Sequence, residues 1–462
     1  MKKGFTHFAE GDVVLAKITP CFQNGKAAVM RDLPNGIGAG TTELHVFRPI
    51  ASTVLPEYVY IYLKSPNFVS KGIPRMTGTA GQKRVPNDYF AHSPFPLPPL
   101  AEQHRIVARV DALMGLCDQL EARQTQADAA RRQLLAALVA DLLASPAEGR
   151  GEASPPIHPV SPNPMAGDAS PLRDAWERLS AHFDHLLAAP EDVATLRQTI
   201  LQLAVQGRLV EQNPQDEPAG VLLERIHAVR ASLIADGQIN KPAPLPIISE
   251  SEYPFAPLEG WQWERLGNLT KFIDYRGHTP PKTSSGVRLI TAKNVRMGHV
   301  NIEPQEYISE ETYKKWMVRG FPRYGDVLFT TEAPLANVAQ LLFHEKIALA
   351  QRVINLQSFA DLDSTYLKLS LMSPLLQDAI SDKSSGMTAT GIKASRLKLI
   401  LIPLPPLAEQ RRIVARVEQL MGLCDELEAG LREAQAAAER LSEGLCAAVV
   451  GQKNAPNREE AV

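Results

Sequence analysis

Two segments of this chain gather the residue types that read nucleic acid: lysine, arginine, asparagine and glutamine in polar loops. Residues 1–96 hold 11 Lys and Arg against 6 Asp and Glu, and residues 258–403 hold 18 against 14. The rest of the chain holds 20 against 31, so a formal charge of −2 conceals two basic segments, at +5 and +4, in an acidic frame. Basic surface attracts phosphate and acidic surface avoids it. On a duplex, phosphate contacts position a protein, while contacts to base edges specify sequence. The candidate contacts in the first segment are Lys17, Gln23, Asn24, Lys26, Gln82, Lys83 and Arg84. In the second they are Arg276, Lys282, Lys293, Asn294, Arg296, Thr330, Thr331, Arg352, Lys393 and Arg396. Lys83 and Lys393 lead this set, because each ends a Gly-x-Lys that begins at Gly81 or Gly391.

The residue patterns that make or break bonds are missing. There is no glycine-rich Walker loop. His182 and His185 have helical spacing without a third ligand, and His344-Glu345 lacks the second histidine of a zincin. Asp326 and Glu332 in GDVLFTTEAP lack the lysine that would complete a nuclease-like metal site. Asn87-Asp88-Tyr89-Phe90 and Thr279-Pro280-Pro281-Lys282 each match part of an amino-methyltransferase loop, with no cofactor loop beside them. The expectation is no catalytic residue, no metal site and no cofactor in this chain. Four cysteines without metal-ligand spacing, no run of 18 apolar residues and an N-terminus without an apolar stretch fit a cytoplasmic protein with no membrane partner.

A duplication positions these residues. Pro96 to Ala122 reads PLPPLAEQHRIVARVDALMGLCDQLEA, and Pro403 to Ala429 reads PLPPLAEQRRIVARVEQLMGLCDELEA, with 23 of 27 positions identical. Fainter parallels run upstream. Gly4-Phe5, Gly11-Asp12 and Pro20 answer Gly320-Phe321, Gly325-Asp326 and Pro334, while Tyr58 and Ser65-Pro66 answer Tyr366 and Ser373-Pro374. Each copy is thus a globular domain followed by a helix. Within the domains GDVVLAKI, LHVFRP, VRLITAKNV, DVLFTT and RVINLQ read as strands. YVYIYLKSPNFVSKG and TYLKLSLMSPLLQDAI read as one helix per copy. The second domain begins near Trp261 with about 60 residues that have no counterpart before Gly4, so the first domain is expected to lack its front half.

Prolines end the strand before each long helix, and none follows from Leu100 to Ser145 or from Leu407 to Ala455. Ile413, Val417, Leu420, Cys424 and Leu427 recur at alternating spacings of four and three, continuing to Ala448. The same register runs through Ile106, Val110, Leu113, Cys117 and Leu120 to Ala127, Leu134 and Leu138, with polar Gln124, Arg131 and Asp141 interrupting it. Such a seam predicts a coiled coil, a rod of roughly 65 Å at about 1.5 Å per residue. The natural partner for one rod is the other, antiparallel. The expected fold class is α+β: two α/β globular domains separated by long helices that form an intramolecular antiparallel coiled coil, duplicated about a pseudo-twofold axis.

The expected organisation is a first domain at 1–97, its long helix at 98–144 and a proline-rich linker at 145–171. A central helical region at 172–238 and a linker at 239–257 follow. The second domain spans 258–403, its helix 404–451 and a tail 452–462.

The paired PLPPLAEQ-x-RIVARV segments, LRQTILQLAVQGRLVEQNPQDEPAGVLLERI (Leu196–Ile226) and PFAPLEGWQWERLG (Pro254–Gly267) resemble the specificity (S) subunits of type I restriction-modification systems. The resemblance covers nearly the whole chain; the short first domain and the proline-rich linker depart from it. It implies two target-recognition domains on double-stranded DNA, each reading half of a bipartite target, with conserved helices setting the spacer. It also implies docking of methyltransferase subunits and recruitment of restriction subunits. S-adenosylmethionine, ATP and Mg then belong to those partners. Three other readings remain open. One is a half-specificity protein that assembles with a second fragment or copy. The second is a coiled-coil scaffold without DNA contact, which the two basic segments disfavour. The third is an enzyme in its own right, such as a fused methyltransferase, which the missing cofactor and catalytic loops disfavour.

Overall fold

In the computed structural model the described residues are 4–50, 53–79, 81–144, 171–275, 279–384 and 391–452. They divide into two compact units that meet between Ala129 and Ala130, inside one long helix. Arg276, the proline-rich stretch 145–170 and the tail from 453 lie outside the described residues.

The first unit contains β1 (Thr6–Ala9), β2 (Val13–Ala16), β3 (Ala27–Val29), β4 (Ile37–Gly40) and β5 (Leu44–Phe47). β2 lies between β3 and β5 in an antiparallel sheet, and β1 pairs with β4. Three helices follow, α1 (Pro56–Lys64), α2 (Pro66–Gly72) and α3 (Asn87–His92), and then α4 (Leu100–Ala144). Val13, Leu15, Phe22, Val59, Leu63 and Phe68 form its core, with α1 and α2 covering one sheet face.

The second unit opens with α5 (Pro171–Ser180), α6 (Phe183–Leu186), α7 (Asp192–Val205) and α8 (Ala219–Ala235). It continues through β6 (Gln262–Arg265), α9 (Leu266–Leu269), β7 (Thr270–Asp274), β8 (Val287–Ile290), β9 (Tyr307–Ile308) and α10 (Glu310–Trp316). Next come β10 (Val327–Thr331), β11 (Leu335–Gln340), β12 (Ile347–Leu349) and β13 (Val353–Ser358). It closes with α11 (Ser364–Met372), α12 (Pro374–Asp382), α13 (Ala394–Leu397), β14 (Leu401–Leu404) and α14 (Leu407–Gln452). The main sheet has the order β11-β10-β13-β7, a second has β12-β8-β9, and β14 pairs with β6. The strands expected from sequence all form.

The stretch expected as one helix per copy is two. Ser65 and Ser373 are extended (ψ 140° and 149°), and their hydroxyls accept the backbone N–H of Phe68 and Leu376. The following proline disfavours helical backbone on the residue before it, so the serine starts a new helix by capping it.

The central helices expected as a region of their own share cores with the second globular domain. Ala219, Leu222 and Ile226 of α8 are buried with Leu266, Phe329 and Leu356. Val193, Ile200, Leu201 and Ala204 of α7 are buried with Trp261, Tyr366, Ile413 and Val417. The seam of α14 therefore finds its apolar partner in α7 and α11. Leu420 and Leu427 are partly buried on the same face, and Arg197 of α7 pairs with Asp425 and Glu428 beside it. In α4, Ile106 and Val110 are half-buried, but Leu113 and Leu120, on the same expected seam, are 47 % and 55 % exposed. The first unit has no helix equivalent to α7 among its described residues. Further along α4 the buried face is Leu135, Val139 and Leu142, packed on Ala175 and Leu179, one residue later than the expected Leu134 and Leu138. A straight helix turns every 3.6 residues, so a strict seven-residue pattern drifts across its surface. Arg208 donates to the carbonyls of Leu142 and Leu143 (2.8 and 2.6 Å), closing the C-terminus of α4 with a cation.

The duplicated segment works the same way in both copies. Tyr58 donates its hydroxyl to the Pro96 carbonyl (3.1 Å) and Tyr366 donates to Pro403 (2.8 Å). Gln103 accepts the N–H of Leu55 and donates to Pro98 O, each at 2.9 Å. Gln410 accepts the N–H of Asp363 (3.1 Å) and donates to Pro405 O (2.9 Å). Both glutamines are fully buried. The PLPPLAEQ sequence is thus a joint that fixes each globular domain on the start of its long helix.

Candidate nucleic-acid interface

The duplicated Gly-Asp turn fixes where each candidate site begins. Gly11 and Gly325 take positive φ (81° and 88°), which a residue without Cβ adopts freely. The aspartate that follows ties the turn to the sheet. Asp12 accepts the Ala9 N–H (2.7 Å) and a bidentate pair of bonds from Arg48 (2.8 and 2.7 Å). Asp326 accepts from Arg323 N (2.8 Å) and from the amides of Asn355 and Gln357 (both 2.7 Å). The Arg48 guanidinium holds the Asp12 carboxyl below its usual range, whereas burial among neutral amides pushes Asp326 up.

Beyond the turn, β2 and β10 run to an edge where three segments converge. In the first unit Lys17 N donates to Glu43 O (2.9 Å), Val85 N to Lys17 O (2.8 Å) and Thr19 N to Lys83 O (2.9 Å). In the second, Thr331 N donates to Arg352 O and Ile392 N to Thr331 O, both at 3.0 Å. Sequence-distant candidates thereby meet: Lys17, Lys83 and Arg84 in one domain, Thr331, Arg352 and Lys393 in the other. At the first edge Arg84 clasps Glu43 through two 2.8 Å bonds, and at the second Arg352 Nε lies 2.8 Å from Glu332 Oε1. Neither glutamate is among the candidate nucleic-acid contacts, because carboxylates repel phosphate and their pairing exists only in three dimensions.

The remaining candidates divide by exposure. Gln23, Asn24, Lys26, Gln82, Lys83, Lys293, Arg296, Lys393 and Arg396 are exposed, and Lys17 is half-buried. Lys282 pairs with Glu306 at 2.7 Å, and Arg396 donates to Lys383 O at 3.1 Å. Burial corrects three candidates, Asn294, Thr330 and Thr331. Asn294 is 1 % exposed, its oxygen accepting from Thr291 and its amide donating to the carbonyls of Asn301 and Pro304, so it holds a turn. Thr330 is fully buried in β10, with its hydroxyl oxygen accepting the Asn337 N–H at 2.9 Å. Thr331 is buried beside it.

The equivalence of the two Gly-x-Lys motifs is also corrected. Val85 and Ile392 make the same hydrogen bond and are both buried, so Gly391 answers Arg84, and Lys393 answers Pro86. Lys393 is the N-cap of α13, as Pro86 is of α3. The constant offset of 307 residues in the long repeat reaches back at least to Val85, and the two Gly-x-Lys motifs lie three residues out of that register.

Behind the second domain, Glu409 at the start of α14 is 2 % exposed and accepts the Trp261 indole N–H at 3.1 Å, while the equivalent Glu102 is exposed. Burial raises the Glu409 carboxyl from 4.5 to about 6. The folded state favours the neutral acid, so this group's stabilisation is complete below about pH 4.5 and is lost as pH rises through about 6. The loss is about 2 kcal/mol. The Glu409→Gln chain, which retains an oxygen acceptor for Trp261, is expected to match the wild type near pH 4.5 and to melt higher above pH 7. Parallel pH profiles for the two proteins in thermal unfolding would contradict this assignment.

Two globular domains of one pattern, each with a polar edge and each bolted to a long helix, define a duplicated recognition protein. A family model described as the type I restriction modification DNA specificity domain matches residues 2–128 and 260–434. The type I restriction enzyme EcoAI specificity subunit of Escherichia coli is 37 % identical over 462 residues, spanning 97 % of this chain and 74 % of that protein. The EcoEI specificity subunit of Escherichia coli is 36 % identical over 464 residues, spanning 96 % and 73 %. A chain solved in work on complex assembly and conformational transition of the type I R-M system shares the fold, with a TM-score of 0.50 and 22 % identity, covering 96 % of this chain and 83 % of that one. The chain belongs to the type I restriction-modification DNA specificity family.

Proposed function

We propose that this chain is the target-recognition component of a type I restriction-modification complex, in which each globular domain reads one half of a bipartite duplex target. The observation that supports it most is the joint duplicated at Gln103 and Gln410, which presents two domains of the same construction on equivalent helices. A single reader needs no second joint. Two readers on fixed supports match two half-sites separated by base pairs that neither touches.

In this reading the long helices α4 and α14 pair antiparallel and set the separation. The exposed apolar residues Leu113, Met114, Leu116 and Leu120 of α4, and Leu423, Leu441 and Leu445 of α14, supply faces for that pairing and for methyltransferase subunits. Restriction subunits join the assembled complex. Exposed Lys26, Lys83, Lys293, Arg296, Lys393 and Arg396 hold phosphates and fix register. The chain itself contributes recognition, and methyl transfer and cleavage belong to its partners. Base-resolution mapping of DNA methylated by the complex tests this reading: two specified blocks flanking an unspecified gap are expected, and one continuous block would contradict it.

A further inference from the structure

Backbone register lets the two edges be superposed without reference to side chains. Val13 pairs with Phe47 as Val327 pairs with Leu356, so Glu43 and Arg352 occupy one position, each just before its strand. Ile18 bridges to Arg84 as Glu332 bridges to Gly391, which fixes two further equivalences. At these three positions the first domain has Glu43, Ile18 and Arg84, and the second has Arg352, Glu332 and Gly391. None is identical, whereas the adjoining helical segment matches at 23 of 27 positions.

Each edge nevertheless makes one arginine–glutamate pair, and the charges have changed places. The glutamate of the first pair stands where the arginine of the second does. The other partner comes from the segment before α3 in the first domain and from the end of β10 in the second. The exchange is sterically matched. A Cβ on Gly391 would lie 3.3 Å from the Cβ of Glu332, so Glu332 stands beside the space from which the equivalent Arg84 extends its side chain. Both pairs are accessible: side-chain exposure is 41 % and 29 % for Arg84 and Glu43, and 46 % and 39 % for Arg352 and Glu332.

Stability does not account for this arrangement, since exposed ion pairs contribute little to it. Recognition does. An arginine forms a bidentate contact with guanine O6 and N7, and a glutamate accepts from the cytosine amino group. In the free protein each side chain holds its partner at the domain edge. A docked duplex would open the pair and offer both groups bases, with exposed Lys83 or Lys393 a few residues away in sequence for phosphate. We propose that this three-position cluster is a base-reading centre in each domain, and that the exchanged charges make the two domains read different bases on one scaffold. The proposal rests on the DNA-recognition reading above and names the residues that carry its specificity.

The test uses the full chain assembled with its methyltransferase subunits, selecting bound duplexes from a randomised DNA library. Arg84→Ala is expected to relax one base position in one half-site, and Arg352→Ala one position in the other. Each should lose discrimination by about tenfold to a hundredfold, with affinity for random duplex changed less than about twofold. The exchange variant Glu332→Ile, Arg352→Glu, Gly391→Arg is expected to adopt, at the altered position, the base preferred by the first domain. Unchanged melting temperatures are expected throughout. Unaltered preferences in both single variants would overturn the proposal, as would an equal loss of affinity for every sequence, the mark of a phosphate contact. Failure of the wild-type complex to enrich any sequence would defeat the DNA-recognition reading itself.

Discussion

Replacing Gln410 by alanine is expected to destabilise the second unit by about 2–6 kcal/mol, the largest effect of any single substitution argued above. The side chain is fully buried, and its two bonds satisfy the Asp363 N–H and the Pro405 carbonyl. Deleting it leaves both groups dry and unpaired, at about 1–3 kcal/mol each. The damage spreads through named neighbours. Asp363 caps α11 by accepting from Thr365 N and Tyr366 N (both 2.9 Å), and Tyr366, itself buried, bonds to Pro403. Gln103→Ala is expected to do the same to the first unit, where Leu55 N, Pro98 O and Thr53 O are its partners. The two sites share no partner, so the double variant should show the sum of the single effects. Denaturant unfolding of the single and double variants measures this. A change under about 0.5 kcal/mol for Gln410→Ala, within the range of ordinary surface substitutions, would show that the joint is held by packing alone.

Deleting residues 124–130 is expected to shorten the gap between the two halves of the target by about three base pairs. The excised residues lie in an exposed stretch of α4, with only Asp128 half-buried, so the cut removes little packing. Seven residues are close to two helical turns and leave the remaining faces nearly in phase, while the helix shortens by about 10 Å. At about 3.4 Å per base pair that is a step of three. Inserting seven residues at the same place should lengthen the gap equally. The readout is the methylated sequence, and an unchanged gap in an active variant would mean that the helices do not set the spacing.

Much of the scaffold was legible from residue pattern. Strands announced themselves by short β-branched runs such as VVLA and VINLQ, and the long helices by proline-free stretches with apolar spacing. The partner of the α14 seam was not legible. Ile413 and Val417 need an apolar neighbour, and a second seam of the same pattern answers that need on paper as well as α7 does in space. The site was read less completely. Lysines and arginines at the edges were found by charge, but Asn294 and Thr330 have the same polar character as loop contacts and proved to be internal fasteners. Glu43 and Glu332 escaped because their significance lies in the arginine each one faces. A strand register was needed to show that Gly391 answers Arg84 and that the two edges mirror each other in charge.

The measurement that bears most directly on two readers held apart by one duplicated frame is base-resolution mapping of the DNA methylated by the complex, for the wild type and for the Arg352→Ala chain side by side. The account predicts two short specified blocks with a fixed unspecified gap, and relaxation confined to one block in the variant. A single uninterrupted target, or relaxation in both blocks at once, would contradict it.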